Sequence, residues 1–227
     1  GGATKFSGER FVHYTEKDGL AYDMVTAVTE DSKGNIWLGT FGGGVSKLVQ
    51  GYKRNQGSVN IPPTLQSFRY EGIELTNYTT EDGLCWNWFW AVLEDSKGDI
   101  WFGSNGKDIC KYDGKNFSSF SGSPSTVVHA IFEDSKGYLW FGFPGAICKY
   151  DGKTFMRFNK YNALNFGSVH DFLEDQNGDL WFCSSAGVFK YDGKEFLSIN
   201  KLENQDLRAV MSIERDDEGN FWLGTYQ

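Results

Sequence analysis

The chain of 227 residues has few of the features that membrane-spanning or nucleic-acid-binding proteins need. Its apolar residues come in short runs broken by glycine, and no run approaches the ~20 residues of a membrane-spanning helix. Basic residues are the minority, since 22 Lys and Arg stand against 30 Asp and Glu, for a net charge of −8. An acidic surface repels a phosphate backbone, so we expect no nucleic-acid partner and no membrane insertion of this chain.

Helical periodicity and a leader sequence are also missing. The start, GGATKFSGERF, has no basic segment followed by an apolar one, so we expect either a cytosolic protein or one whose signal peptide has been removed. The hydrophobic content of 40% is ample for one compact domain. We therefore predict a single domain over residues 1–227.

Cysteine is scarce, with four residues in the chain. Cys110 and Cys148 occupy the same place in neighbouring repeats, where equivalent atoms lie too far apart for a disulfide. We expect all four to be free, buried thiols, which behave as small hydrophobic side chains.

One short sequence occurs five times along the chain. The copies keep Asp, Gly and Trp in register: EDSKGNIWLGT from Glu30, EDSKGDIWFGS from Glu94, EDSKGYLWFGF from Glu133, EDQNGDLWFCS from Glu174 and RDDEGNFWLGT from Arg215. A second shared piece follows the middle three copies, as ICKYDGKNF, ICKYDGKTF and VFKYDGKEF. We number the five units repeats 1 to 5.

Each repeat is predicted to contain four short antiparallel strands. Asp-x-x-Gly places a side-chain acceptor at the start of a tight turn and a residue tolerant of positive φ at its end. The Ile-Trp-Phe type of run that follows is rich in β-branched and aromatic residues. Four strands in roughly 40–45 residues, repeated, are typical of a propeller blade. We therefore predict an all-β fold, a five-bladed β-propeller of four-stranded antiparallel blades.

The two termini are predicted to complete the last blade. The spacing from Trp222 through the C-terminus and on from Gly1 to Trp37 continues the period of the repeat. Residues 1–15 would then supply the two outer strands of the closing blade, and this pairing would cover its edges. A polar, proline-containing insertion at about 50–72 interrupts the first full blade.

Two stretches resemble the two-component regulator propeller repeat. They are YTEKDGLAYDMVTAVTEDSKGNIWLGT and YTTEDGLCWNWFWAVLEDSKGDIWFGS, and the likeness extends over nearly the whole chain outside the insertion. The resemblance implies an extracytoplasmic sensor propeller of bacterial hybrid histidine kinases. It therefore implies a periplasmic or extracellular location, with a cytoplasmic location as the alternative.

Positions that are alike in all repeats are predicted to be packing positions. The sixth residue before the turn Asp is Val25, Phe89, Val128, Val169 or Val210, and the third is Val28, Val92, Ile131, Phe172 or Ile213. The tryptophan of the second strand is equally uniform, as Trp37, Trp101, Trp140, Trp181 and Trp222. We expect these residues to be buried between blades.

Positions that differ between repeats are better candidates for a site. The fifth residue before the turn Asp is Thr26, Trp90, His129, His170 or Met211. In a propeller the innermost strand lines the axial channel, so the run WNWFW is predicted to lie at the mouth of the central funnel, with its tryptophans on one side. The predicted ligand-binding residues are Trp86, Asn87, Trp88, Trp90, Tyr22, Asp23, His129, His170, Asp171 and Arg208. A hydrophobic plug that fills the funnel is the alternative.

Flat aromatic faces beside polar groups suit sugars, and methylammonium cations are a further option. We predict a non-catalytic ligand-binding or sensory propeller that recognises a small molecule or glycan. A protein-interaction scaffold that uses the blade rims or the insertion is the second candidate, and a hydrolase or lyase is the third. His129, His170 and Asp171 are too few for a convincing metal or acid–base site, so we predict no catalytic residue, metal or cofactor.

Overall fold

The computed structural model describes residues 1–50, 67–70, 73–106, 109–120, 127–158, 164–199, 201–202 and 205–226, with the backbone alone at 67–70, 201–202 and 205–206. Contacts group the chain into two compact units, Gly1–Ser121 and Gly122–Gln227. The single domain over 1–227 stays a prediction. Most of the predicted insertion at 50–72 lies outside the described residues.

Unit 1 contains one hairpin and the first two repeats. The hairpin pairs β1 (Ala3–Phe6) with β2 (Phe11–Tyr14). Repeat 1 is a sheet in the order β3-β4-β5-β7-β6, built from β3 (Val25–Glu30), β4 (Ile36–Thr40), β5 (Val45–Val49), β6 (Ser67–Tyr70) and β7 (Ile73–Tyr78). Repeat 2 is a sheet in chain order, built from β8 (Phe89–Glu94), β9 (Ile100–Ser104), β10 (Ile109–Tyr112) and β11 (Phe117–Phe120). The 3-10 helices Glu16–Asp18 and Thr80–Asp82 precede repeats 1 and 2.

Unit 2 contains the other three repeats. Repeat 3 consists of β12 (Ala130–Glu133), β13 (Leu139–Phe143), β14 (Ala146–Tyr150) and β15 (Phe155–Phe158), again in chain order. Repeat 4 consists of β16 (Val169–Glu174), β17 (Leu180–Ser184), β18 (Gly187–Tyr191) and β19 (Phe196–Ser198). Two short strands, β20 (Lys201–Leu202) and β21 (Gln205–Asp206), pair with each other. Repeat 5 is the pair β22 (Val210–Arg215) and β23 (Phe221–Thr225).

The all-β propeller fold is confirmed, with antiparallel pairing between neighbouring strands throughout the described sheets. Repeat 1 differs from the prediction because β6, from the insertion, adds a fifth strand to its sheet. The hairpins β1–β2 and β22–β23 lie in different units, and their union in one blade stays a prediction. No helix in the described part of the chain is long and apolar enough to span a membrane.

The predicted Asp turns are confirmed, and they explain why Asp and Trp recur together. In repeat 1, Oδ1 of Asp31 accepts hydrogen bonds from the backbone N–H of Lys33 (3.0 Å) and Asn35 (2.8 Å). Its Oδ2 accepts one from Nε1 of Trp37 at 2.9 Å. The same Asp–Trp bond occurs in every repeat, at 2.8–2.9 Å. The carboxylate therefore fixes both the turn and the tryptophan that follows it.

Two residues predicted to be buried are exposed, Trp222 and Val28, and four are half-buried, Val25, Val92, Ile131 and Trp181. Trp37, Trp101 and Trp140 are at most 2% exposed. Trp222 is 66% exposed, so the prediction that all five repeat tryptophans are buried is wrong. The Trp181 ring packs on Phe221 of the next repeat, 4.7 Å between centroids, whereas no aromatic ring of the described residues packs on Trp222.

The second exception is at the start of the array. Val28 on β3 is 65% exposed, whereas the equivalent Phe172 and Ile213 are 5% and 2% exposed. Val28 was therefore wrongly predicted as core. Phe172 and Ile213 each lie in a repeat that follows another repeat within unit 2, and contacts from the preceding inner strand cover them.

Candidate functional site

A β-bulge positions the variable side chain of the inner strand. The pairing of the first two strands skips one residue in repeats 1, 2, 4 and 5, between Val25/Ala27, Phe89/Ala91, Val169/Asp171 and Val210/Ser212. The skipped residues are Thr26, Trp90, His170 and Met211. A bulge bends the strand and redirects a side chain out of the regular pleat. The position that varies between repeats is thus the one freed from sheet packing.

In unit 1 the bulge presents Trp90 to an aromatic cluster, which we define as Phe41, Trp88 and Trp90, and Trp86 lies in the loop that leads into β8. Phe41 follows β4 of repeat 1 and packs on Trp88 of repeat 2, with ring centroids 3.6 Å apart. Trp90 lies 5.9 Å from Phe41 and 6.2 Å from Trp88. Trp86 and Trp90 are 41% and 37% exposed, and Trp88 is half-buried. The predicted accessibility of these tryptophans is confirmed.

Trp88 carries a buried donor. Its Nε1 is buried and has no hydrogen-bond partner among the described residues. A buried, unpaired N–H costs about 1–3 kcal/mol, and such groups are rare in folded proteins.

The loop before the cluster is held by a glycine and a disulfide. The Trp86 ring lies directly on Gly106, where an added Cβ would come within 2.5 Å of the ring. Cys85, the preceding residue, is bonded to Cys110 of β10, with 5.9 Å between their Cα atoms. The prediction of four free thiols is therefore wrong for this pair, which joins the loop to the third strand of the same repeat rather than equivalent positions of two repeats.

The other two cysteines are free and buried, as predicted. Burial raises the pKa of Cys148 to about 11 and that of Cys183 to about 12. Both thiols therefore stay protonated and poorly nucleophilic at neutral pH.

Asp23 and Asn87, two predicted ligand contacts, cap the turns that precede β3 and β8. Asp23 Oδ1 accepts a hydrogen bond from the backbone N–H of Glu16 at 2.6 Å, and Glu16 Oε1 accepts one from the Asp23 N–H at 3.0 Å. Asn87 Oδ1 accepts one from the Thr80 N–H at 3.0 Å. The two side chains therefore perform the same structural task in repeats 1 and 2.

Tyr22 and Met24 lie at a cavity of about 520 Å³ in unit 1. They are 42% and 54% exposed. The lining residues are Gly1, Gly2, Glu16, Tyr22, Asp23, Met24 and Val25. The backbone carbonyl of Met24 also accepts a hydrogen bond from the N–H of Phe41 at 2.9 Å. This bond links a residue that lines the cavity to a residue of the aromatic cluster.

In unit 2 the structure brings His129 and His170 together. Their rings stack at 5.3 Å between centroids. Burial lowers the pKa of both imidazoles, and the nearby His170 lowers that of His129 further. Two neutral, stacked imidazoles result at neutral pH. In the described part of the chain, no group of three or more His, Cys, Asp or Glu side chains could hold a metal ion.

Asp171 joins two inner strands of unit 2. It accepts hydrogen bonds from the N–H of Phe172 at 2.9 Å and from that of Ile213, on β22, at 3.0 Å. Burial raises the pKa of its carboxyl. Arg208 is exposed just before β22. The structure thus gives Asp171 a role in sheet packing and leaves a ligand-binding role for Arg208 as a prediction.

Sequence reasoning missed Phe41. The signal was present, because the fourth residue after the repeat tryptophan varies as widely as the bulge position, as Phe41, Asn105, Pro144, Ser185 and Tyr226. Only the contact with Trp88 shows that this position borders the inner strand of the next repeat.

The fold and its site define a repeat protein of the β-propeller class. The sequence pattern of the two component regulator propeller matches five segments, residues 19–42, 83–106, 122–145, 163–186 and 206–227. These segments make up more than half of the chain and coincide with the five inner-strand pairs. The chain therefore belongs to the two component regulator propeller family. No curated protein matches it by sequence.

Three solved structures illustrate the fold. The extracellular domain of the hybrid two component system BT3049 from B. thetaiotaomicron is 18% identical with a TM-score of 0.59, over 99% of this chain and 36% of that one. PorZ, a surface component of the type-IX secretion system of Porphyromonas gingivalis, is 16% identical with a TM-score of 0.67, over 97% and 35%. Streptogramin B lyase is 14% identical with a TM-score of 0.63, over 94% and 65%.

The similarity to these three solved structures shows the fold of the chain and nothing more. The chain spans little more than a third of the length of the first two structures. Sensors, a secretion component and a lyase share the architecture, so function has to be argued from the site.

Proposed function

We propose that the chain is a non-catalytic sensory propeller that binds a small molecule or glycan at the aromatic cluster of repeats 1 and 2. The observation that supports this most is the partly exposed ring surface of Trp86 and Trp90, 41% and 37% exposed, at the start of the inner strand of repeat 2. A hydrophobic plug would bury these rings.

The chemistry of the cluster favours a ligand with flat apolar faces and a hydroxyl rim. Trp86 and Trp90 offer ring faces for stacking. Pockets that combine aromatic walls with a few polar groups are the usual form of small-molecule sites. A methylammonium ligand would use the same ring faces through cation–π attraction.

Hydrolase or lyase activity is the weaker candidate. A general acid or base must be within hydrogen-bond reach of its substrate. The carboxylates closest to the cluster in sequence, Asp82 and Glu94, accept hydrogen bonds from Thr79 and from Ser32. Asn87 is held by Thr80 in the same way. These groups are engaged in turns.

We also propose an extracytoplasmic location. Disulfides persist in oxidising compartments and are rare in the cytosol, and Cys85 and Cys110 form one here. The similar domain of BT3049 is extracellular. The location is tested by isolating the native protein under alkylating conditions, where the disulfide should be intact. A fully reduced Cys85 would contradict it.

The binding proposal is tested with a glycan array, followed by isothermal titration of the best glycan on purified protein. Trp90→Ala and Trp86→Ala should each weaken binding between about twofold and thirtyfold, as expected for one stacked aromatic contact of ~0.5–2 kcal/mol. Trp222→Phe is the matched control, because Trp222 is also exposed but lies on β23, outside the cluster. Equal affinity for all three variants would contradict the proposal.

A further inference from the structure

A serine–glutamate clasp joins neighbouring repeats at their Asp turns. In unit 1, the carboxylate of Glu94 in repeat 2 accepts hydrogen bonds from Oγ and from the backbone N–H of Ser32 in repeat 1, at 2.8 and 2.5 Å. In unit 2, Glu174 of repeat 4 accepts the same two bonds from Ser135 of repeat 3, at 2.8 and 2.7 Å. The clasp therefore takes its donors from one turn and its acceptor, a negative carboxylate, from the next repeat.

Between repeats 4 and 5 the clasp positions carry different residues. The residue equivalent to the serine is Gln176, and the residue equivalent to the glutamate is Arg215. Both repeats belong to unit 2, where β22 packs against β16 and β17. A guanidinium has five N–H donors and no acceptor, so it cannot accept the bonds that a glutamate accepts. The charge at this position has therefore changed from negative to positive.

The side chain of Gln176 places a donor where the other turns have a carboxylate oxygen. In repeats 1 to 4, a Cβ added at the turn glycine would lie 3.7–3.8 Å from Oε1 of the glutamate of the same repeat, at Gly34, Gly98, Gly137 and Gly178. At Gly219 of repeat 5, the atom in that place is Nε2 of Gln176, at 3.5 Å. Gln176 therefore reaches across to the turn of repeat 5 and presents an amide N–H there.

Arg215 adds a charged donor that is enclosed by protein. Its Nη1 is buried and has no hydrogen-bond partner in the described part of the chain, while the residue as a whole is half-buried. Guanidinium and carboxylate groups are both planar and can form two parallel N–H···O bonds. The donors of Arg215 therefore match the chemical group that Glu94 and Glu174 supply at the other two clasps.

We propose that Arg215 and Gln176 bind the carboxylate of a ligand between repeats 4 and 5. Both residues belong to unit 2 and the aromatic cluster belongs to unit 1, so the proposal stands apart from the proposed function. The surroundings favour a ligand with a single negative charge, because Asp216, Asp217 and Glu218 directly follow Arg215 in the turn of repeat 5. These carboxylates repel a dianion such as phosphate more strongly than a monocarboxylate.

Nuclear magnetic resonance of the arginine Nε–H groups in the full chain tests the proposal. Sodium acetate replaces sodium chloride at constant ionic strength and neutral pH, and Arg215→Gln identifies the Arg215 signal. This signal should shift to saturation with a dissociation constant of about 1–10 mM, and phosphate should bind more weakly. Arg157→Gln is the matched control, since Arg157 is exposed on β15 of the same unit, and acetate should bind this variant as it binds the wild type. A signal that does not saturate, or tighter binding of phosphate, overturns the proposal.

The double variant Gln176→Ser/Arg215→Glu recreates the clasp of the other repeats. Acetate should raise the melting temperature of the wild type, because a ligand that binds the folded state stabilises it, and should leave that of the double variant unchanged. Circular dichroism identifies a variant that fails to fold, in which case Arg215→Gln takes its place and should also lose the acetate response. An equal response in wild type and variant overturns the proposal.

A second titration distinguishes the two sources of a carboxylate, a free small acid and an acidic side chain of another protein. The probe is a capped tripeptide, glycine–glutamate–glycine, with no other charge. Binding at Arg215 about tenfold tighter than acetate would identify an acidic segment as the ligand, and equal affinity would identify a free acid. A tripeptide and an acetate that both fail to shift the Arg215 signal contradict the site.

Discussion

Repeats 1 and 2 show how one scaffold carries two different surfaces. Both begin with a capped turn, in which Asp23 or Asn87 accepts from the backbone. In both, a loop N–H donates 2.9 Å to the third strand, from Ala21 to Ser46 Oγ in repeat 1 and from Cys85 to Cys110 Sγ in repeat 2. At the bulge, however, repeat 1 has Thr26 and repeat 2 has Trp90. Backbone bonding fixes the scaffold, and the side chains that the scaffold leaves free make the site.

The sharpest contrast is between the packing tryptophans and the tryptophans of the cluster. Trp37→Ala removes a side chain that is 1% exposed and should lower the free energy of unfolding by about 3–5 kcal/mol. Trp90→Ala, at a position 37% exposed, should cost distinctly less. Urea unfolding of both variants measures the difference. Equal losses would mean that the cluster is a packed plug.

The disulfide can be removed by giving repeat 2 the residues of repeat 1. Cys85→Ala/Cys110→Ser recreates the Ala21–Ser46 pair and should lower stability by about 3 kcal/mol, from the loop-closure entropy of a 25-residue separation. The hydrogen bond to the serine should preserve the turn. Urea unfolding with and without dithiothreitol provides the control, since wild type and variant should converge under reduction. No convergence would show that the substitution perturbs packing instead.

Removing the aspartate of a turn should lower the free energy of unfolding less than removing the disulfide does. Asp95→Ala removes the acceptor for the N–H groups of Lys97 and Asp99 and for Nε1 of Trp101, and should cost about 1–2 kcal/mol. Asp31→Ala should cost somewhat more, because Asp31 also accepts from the side-chain amide of Asn35. Thermal and urea unfolding compare the two. Ligand affinity should be unchanged in both, and its loss at constant stability would reveal a functional turn.

Exchanging the residues at the start of the inner strands of repeats 1 and 2 should change ligand affinity and leave the free energy of unfolding nearly unchanged. Trp88→Met/Trp90→Thr gives repeat 2 the residues Met24 and Thr26 of repeat 1. We expect at least about a tenfold loss of affinity for the best array glycan, or ~1–2 kcal/mol, with the fold retained by circular dichroism. Met24→Trp/Thr26→Trp is the reciprocal variant. Retained affinity in the first variant would place the site elsewhere.

The smallest effect is expected from the histidine pair of unit 2. Burial holds the pKa of His129 and His170 below 6.5, so the unfolded chain binds more protons than the folded one as pH falls below about 6.5. Stability should therefore be full above this pH and decline below it. His129→Gln/His170→Gln should flatten this decline, measured as melting temperature from neutral pH to pH near 5. An unchanged slope in the double variant would contradict the assignment.

Local sequence determined the repeat and its turns because each signal lies within about ten residues. The Asp of each turn accepts hydrogen bonds from the N–H of the Gly and from Nε1 of the Trp, so their spacing was sufficient to predict the turn, the strand after it and the repeated blade. Strand alternation predicted that Trp86, Trp88 and Trp90 share a direction, but Trp86 and Trp88 precede β8 and a bulge redirects Trp90. Sequence reasoning also could not detect that Asp23 and Asn87 cap turns, because an acceptor side chain looks the same whether it faces a ligand or a backbone N–H.

Contacts between residues far apart in the chain were decided by the tertiary structure alone. The bulge at Trp90 depends on the pairing between β8 and β9. Phe41 of repeat 1 packs on Trp88 of repeat 2. Cys85 bonds to Cys110 because the third strand of the blade lies next to the loop that carries Cys85. Exposure is decided in the same way. Trp37 and Trp222 both begin the sequence WLGT and both donate a hydrogen bond to the turn aspartate, yet Trp37 is buried and Trp222 is exposed. Burial depends on whether another sheet packs against the face, and the residues of a single repeat do not encode that.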